Sequence, residues 1–319
     1  ERNLTCSNLF FYSTMAFANL RHTACVIGAC NGVGYGITAG LETHKITDLV
    51  GAGSFVAATV SLSHRNGLIQ NLLEGRITSP KLLLVNAGVI LWGSRLASYL
   101  FNRVLQLGED KRLRKFFRKP GESYLDLKGS FFPIRLSIFW VIQAAWGYLC
   151  MLPVTLLNSV PLLLKDGTPN PFLTFGGGYG KLALSLLPVV GLFGGVIMEA
   201  VADYQKTLYR SDPKNDGHWC DKGLWAYSRY PNYFGELLTW WSVYFSSLPA
   251  LISSSTYAPL LGLVSPAFIT LLLFKVSGIP LLEAKYKKQY KDNTDYADYV
   301  RTTPLMIPNF FKKFNKKSN

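Results

Sequence analysis

Charge is scarce in this chain. Only 16% of its 319 residues are Asp, Glu, Lys or Arg, against about 25% in an average soluble domain. Negative charge is scarcest: 19 Asp and Glu stand against 33 Lys and Arg, for a net +14. Cysteine is sparse as well. The five residues (Cys6, Cys25, Cys30, Cys150 and Cys220) form no C-x-x-C pair, and none of the four His clusters with them. That pattern excludes a zinc site, and the odd count speaks against a disulfide framework. No repeat and no low-complexity tract is present, and the composition excludes a disordered or collagen-like chain.

What is abundant is apolar. Hydrophobic residues make up 49% and aromatic ones 14% of the chain, and mean hydropathy is +0.18. A nucleic-acid binder can be this basic but would not also be this apolar, so no nucleic-acid partner is expected. Apolar runs near the length of a bilayer crossing, about 20 residues, fall at 14–40, 46–63, 81–101, 132–157, 182–202, 232–250 and 257–280. They predict an all-α polytopic transmembrane bundle of about seven spans. The segments 102–131, 203–231 and 283–319 hold 8, 5 and 9 Lys/Arg, together 22 of 33. Seven spans put all three on one side, which the positive-inside rule assigns to the cytosol or an organelle matrix. The opposite side carries the sequon Asn3-Leu4-Thr5.

Residues 26–34 (Val26-Ile27-Gly28-Ala29-Cys30-Asn31-Gly32-Val33-Gly34) imitate a dinucleotide-binding turn. Such a turn needs a strand before it and a helix after it, and here both flanks are one apolar run. Gly28, Gly32, Gly36 and Gly40 recur every four residues instead, a stripe that suits close helix packing in lipid. Gly176 to Gly180 reads as a flexible connection.

Ionisable residues within or at the ends of spans are functional candidates. They are Asp48, Arg95, Glu199, Asp203, Glu236, Lys275 and Glu283. All but Lys275 fall toward the basic face of the seven-span arrangement. Between the fifth and sixth spans, Lys206, Arg210, Lys214, Lys222 and Arg229 alternate with Tyr204, Tyr209, Trp219, Trp225, Tyr227, Tyr230 and Tyr233. That mixture suits an anionic aromatic ligand, and equally an interfacial aromatic belt. Pro231 keeps Tyr230 extended, and Asn232 stands ready as an N-cap or a ligand contact.

The run Gly223-Leu-Trp-Ala-Tyr-Ser-Arg-Tyr-Pro-Asn-Tyr-Phe-Gly-Glu236, followed by Trp240-Trp241, closely resembles the signature of the steroid 5-alpha-reductase-like family. Within that family it is closest to the branch whose motif reads R-H-P-N-Y-F-G-E. Further similar segments are Trp92 to Leu96 with Glu109 to Arg112, then Gln143 with Leu152-Pro153 and Asn158. Glu199 to Lys206, Ser277 to Glu283 and Tyr296 to Pro308 also resemble it, and Lys45 to Gly51 does so loosely. The resemblance covers about residues 42–310, leaving 1–41 as an N-terminal segment and placing the cofactor-binding part at about 180–310.

The resemblance implies a membrane oxidoreductase with NADPH in a cavity open to the cytosolic or matrix face. It implies that Glu199, Asp203, Arg210, Arg229, Asn232, Tyr233, Glu236, Tyr286 and Tyr290 hold the cofactor, and that no metal is needed. Asp48, Trp92 and Arg95 are the expected catalytic end, where a lipid or steroid-like substrate enters from membrane lipids. The implied reaction delivers hydride to the β-carbon of an enone and a proton to the α-carbon, with a protonated Asp48 polarising the carbonyl. The family prior for localisation is the endoplasmic reticulum; mitochondrial or other organelle membranes stay open because the sequence begins at Glu1.

One position departs. Tyr230 stands where many relatives carry His, and Tyr cannot be a cation near neutral pH. This motivates a second expectation, a catalytically silent subunit of a membrane protein complex. A third is a membrane methyltransferase using S-adenosylmethionine.

Overall fold

The computed structural model describes residues 6–107, 113–118, 121–125, 131–176 and 179–311. The sequon at Asn3 and the 109–112 segment lie outside the described residues, as does part of the 176–180 glycine run. Among the described residues the chain is all-helical, with no strand beyond a single bridge between Leu163 and Pro169. The helices are α1 (Cys6–Leu41), α2 (Thr47–Arg65), α3 (Leu68–Leu73), α4 (Pro80–Leu107) and α5 (Ile134–Leu157). They continue with α6 (Tyr179–Ser211), α7 (Pro231–Ser254), α8 (Ala258–Leu271), α9 (Ile279–Gln289) and α10 (Thr294–Thr302).

Each of the seven expected segments is helical. Five stretches are long and apolar enough to cross a membrane: Tyr12–Leu41, Pro80–Gln106, Ile134–Leu157, Leu182–Ser211 and Ala258–Gln289. The helices α2 and α7 are not among them, because both are rich in small polar residues. Those residues are nonetheless compatible with burial. Ser54, Thr59 and Ser63 of α2 donate to backbone carbonyls three or four residues earlier, and Thr239 and Ser247 of α7 do the same. A hydroxyl bonded within its own helix does not need water.

The chain divides into two compact units. One comprises residues 1–189 and 243–265, the other 190–242 and 266–319.

The first unit is built on α1, α2, α4 and α5. Its apolar centre includes Phe55, whose ring meets Trp92 edge-on at 5.1 Å and Trp146 at 4.9 Å. A polar network runs beside it. Asn158, just after α5, exchanges paired amide hydrogen bonds with Asn86 of α4 at 2.9 and 3.0 Å and accepts another from Asn66 at 2.8 Å. Asn19 of α1 donates to Ser159 and accepts from Arg65, and the Thr23 and Thr155 hydroxyls pair at 3.0 Å. Gln143 of α5 donates to Asn31 of α1 and to the Thr47 carbonyl of α2, each at 3.1 Å.

Neither reading of the first helix's glycines holds within this chain. Residues 26–34 lie wholly inside α1, so the dinucleotide-turn reading fails. The glycine stripe does not serve packing within this chain either. Nothing among the described residues lies within 4 Å of a Cβ placed at Gly28, Gly32, Gly36 or Gly40. The packed face is the adjacent one, carrying Ile27, Asn31, Gly34 and Thr38. There Gly34 gives way to the Trp140 ring, which a Cβ would strike.

In the second unit α6 and α7 touch backbone to backbone. A Cβ on Gly235 would lie 2.7 Å from the Gly195 carbonyl oxygen and 2.7 Å from the Glu199 nitrogen. Gly195 is equally tight, 2.6 Å from the Gly235 oxygen. Two facing glycines therefore set the spacing of these helices.

Candidate functional site

That close approach positions the polar residues of α6 and α7. Glu199 and Asp203 are buried on α6, at 4% and 6% exposure. Asn232, in the first turn of α7, donates to Asp203 at 3.3 Å, and Glu236 follows one turn later. The Asn232 Oδ1 is buried and has no hydrogen-bond partner. Tyr233 lies parallel to Tyr230, with ring centroids 5.6 Å apart.

The loop after α6 folds back onto that helix. Asn215 donates to the Tyr209 carbonyl, Trp225 Nε1 to the Ala202 carbonyl at 2.9 Å, and the Leu224 amide to the Gln205 side chain at 2.8 Å. Gly223 makes the last contact possible. Its φ is +58°, and a Cβ there would run into the Gln205 amide. Lys206 then rests over the Trp225 ring, 4.1 Å from its centroid, a cation–π contact.

The C-terminal segment closes the site. Asn293 caps α10 by accepting from the Tyr296 amide, and Tyr299 donates its hydroxyl to the Trp225 carbonyl at 2.7 Å. Beyond α10 the chain runs beside loop residues 227–230. The Arg229 amide donates to Pro304, the Ser228 hydroxyl to Met306, and the Asn309 amide to Tyr227.

Loop and tail together enclose a cleft of about 310 Å³, counting its open mouth. Aromatic walls come from Trp219, Trp225, Tyr230, Tyr286, Tyr296 and Tyr299, and charge from Lys206, Arg229 and Glu283. Arg229 Nη1 contacts both Glu283 oxygens, at 3.0 and 2.9 Å, and the Tyr230 hydroxyl donates to Glu283 at 2.6 Å. Two buried donors of the lining, Arg229 Nε and Trp219 Nε1, have no acceptor. Orphaned buried donors are costly, so the cleft suits a ligand rich in acceptor oxygens.

Of the expected cofactor residues, Arg229 and Tyr286 line the cleft itself. Tyr290 packs against Trp219 and Tyr296, and Arg210 donates to the Tyr286 hydroxyl at 3.4 Å. Glu199, Asp203, Asn232, Tyr233 and Glu236 form the neighbouring α6–α7 group. All nine belong to the second unit, whereas Asp48, Trp92 and Arg95 belong to the first. Trp92 is fully buried beside Phe55. Asp48 lies 3.7 Å from the Arg103 guanidinium, an ion pair that the sequence reading did not foresee. Lys275 is exposed within a π-helical turn, Leu272–Val276.

Sequence reasoning missed Cys220 and Tyr299. Cys220 belongs to no motif; Tyr299 lies in the Tyr296–Pro308 segment of the resemblance but was not singled out, and it reaches the cleft through the fold of α10. Burial pushes the Cys220 thiol up from its ordinary range.

Burial, followed by the Glu283 charge, pushes the Tyr296 hydroxyl from its ordinary value of 10.0 up to about 12, and burial raises Tyr230 and Tyr299 as well. A raised folded-state value keeps the native phenol protonated where the unfolded one has ionised. The linked stability is complete below pH 10 and falls as pH rises toward 12. An alkaline titration followed by phenolate absorbance should show these tyrosines ionising late and together with loss of the fold; early, reversible ionisation of all tyrosines would contradict the packed cleft.

These features define the class first: an all-helical chain with five helices long and apolar enough to cross a membrane, carrying an aromatic, basic cleft among its C-terminal helices. Residues 34–303 match the family described as protein of unknown function (DUF1295), and the chain belongs to that family. No curated protein and no solved structure matches it.

Proposed function

We propose that this protein is a membrane-embedded, NADPH-dependent reductase of a carbon–carbon double bond conjugated to a carbonyl in a steroid-like or other lipid. The observation that carries this reading is the pair of orphaned buried donors, Arg229 Nε and Trp219 Nε1, in an aromatic cleft beside Lys206. Guanidinium and ammonium groups suit phosphate, and aromatic walls suit stacked rings. The orphaned Asn232 Oδ1 adds an acceptor for an amide or amine N–H. The lining therefore fits an anionic aromatic dinucleotide.

NADPH, when bound, supplies the hydride. The chain's own residues then have three tasks. Arg229 and Lys206 hold the phosphates; Asn232, Asp203, Glu199 and Glu236 fix the polar part between α6 and α7; the apolar helices keep water from the reacting carbons. In this reading the cleft opens to the basic side of the membrane.

The Asp48–Arg103 contact favours a second reading, because it engages the expected catalytic carboxylate in an ion pair. In that case the chain binds a nucleotide or lipid as an accessory subunit of a membrane complex.

Titration of the purified protein with NADPH and NADH, read by tryptophan fluorescence, tests the proposal. Saturable binding that prefers NADPH is expected; none sinks it. NADPH binding without reduction of any enone lipid selects the accessory reading. Replacing Asn232 by Ala should weaken NADPH binding by about 1–3 kcal/mol, the cost of an unmatched buried partner. Unchanged affinity removes Asn232 from the site.

A further inference from the structure

Among the described residues Glu283 is the one acidic residue lining the cleft, and it is paired with Arg229. Its contact with Arg229 is lopsided. Both carboxylate oxygens crowd Nη1, while Nε stays buried without an acceptor. A guanidinium and a carboxylate meet best as two parallel forks, so this pair leaves binding capacity unused. The Glu283 side chain is one-third exposed (34%), and that of Arg229 only 14%. The carboxylate therefore has room to withdraw, whereas the guanidinium is fixed. A second hold comes from the Tyr230 hydroxyl at 2.6 Å. The tyrosine hydroxyl supplies that hold without adding charge.

From this geometry we propose that Glu283 is a selectivity residue of the cleft, whose carboxylate competes for Arg229 and yields only to an oxyanion of higher charge, a phosphate ester or pyrophosphate. The argument is one of charge and valence. A ligand carboxylate that displaced Glu283 would exchange one monoanion for another and gain little. A phosphate group carries up to two charges and three acceptor oxygens. It brings more charge to Nη1 than Glu283 does, and Lys206 lines the same cleft. The inference rests on the reading of the cleft as an anion site, but it does not need the anion to belong to NADPH.

The test uses the full chain in detergent micelles, with pyrophosphate and acetate as probes and tryptophan fluorescence as the readout. Glu283→Gln keeps the shape and the acceptor for Tyr230 while removing the charge. It should bind pyrophosphate about ten- to a hundredfold more tightly than the parent, the range of one charge-assisted hydrogen bond. It should also show measurable acetate binding, and the parent none. Equal or weaker pyrophosphate binding in Glu283→Gln, or continued rejection of acetate, overturns the proposal. Should that variant fail to fold, Tyr230→Phe serves instead. It leaves the charge and removes one of the carboxylate's two holds, so pyrophosphate should tighten by about threefold, under one kcal/mol; no change, or weakening, overturns the proposal equally. The two readings fail separately. Pyrophosphate obeying this order without any NADPH binding sinks the dinucleotide reading alone. NADPH binding with Glu283→Gln weakening both ligands sinks the selectivity role alone.

Discussion

Gly235→Val is expected to abolish ligand binding and to destabilise the second unit by about 3 kcal/mol or more, the upper range for forcing atoms into a packed interior. The reason is that the neighbours of Gly235 are backbone atoms. A Cβ there would lie 2.7 Å from the Gly195 oxygen and from the Glu199 nitrogen, and neither can rotate away. The helices must part, and the Asn232–Asp203 contact at 3.3 Å has no slack to follow. Gly194 is the control: a Cβ there meets nothing within 4 Å, so Gly194→Val should be close to neutral. Thermal unfolding of both variants in detergent decides the matter. Equal melting temperatures would mean that the facing glycines do not set the helix spacing.

Asn158→Leu is the second large effect, and it concerns the first unit. An interhelical hydrogen bond between membrane helices averages only about 0.6 kcal/mol, so a single loss would be modest. Asn158 is different because two other amides, those of Asn86 and Asn66, share its side chain. The change removes the paired bonds with Asn86 and the acceptor of Asn66, and it puts an apolar side chain against both. Two orphaned polar groups at roughly 1–3 kcal/mol each give a loss of about 2–6 kcal/mol. Thr23→Val, which loses one hydroxyl pair with Thr155, should cost near the membrane average. Equilibrium unfolding in mixed micelles measures both. If the Asn158 variant costs no more than the Thr23 variant, the network is a set of independent contacts.

The helical segments were legible because a bilayer-length apolar run is a strong signal, and all seven are helices. Whether α2 and α7 count as spans was less legible. Their Ser and Thr residues lower the apolar signal, and only the structure shows those hydroxyls bonding within their own helices. The glycine stripe of α1 misled for a related reason. Periodicity identifies a face but not its partner, and the packed face was its neighbour, marked only by Asn31, Gly34 and Thr38 among larger residues. At the cleft, Arg229 and Tyr286 came from motif resemblance, while Glu283 came from the cost of charge near a membrane. Cys220 carried no signal, and Tyr299 carried only that of the segment around it, since its place in the cleft depends on a tail that folds back across the loop. The pairing of Asp48 with Arg103 was equally hidden, because it joins helices distant in sequence.

That folded-back tail has a consequence for how the protein is made. The Ser228 hydroxyl and its acceptor at Met306 are 78 residues apart in the chain. During synthesis the loop 212–230 therefore emerges well before the segment that satisfies it. Through that interval the amide of Arg229 and the hydroxyl of Ser228 have no tail to bond, while helices α7 and α8 are still being placed. Cleft formation is thus a late, post-insertion event rather than a by-product of helix insertion. A nascent chain halted between α8 and Pro304 would carry its apolar helices but no binding site, and ligand protection would appear only after the tail had docked.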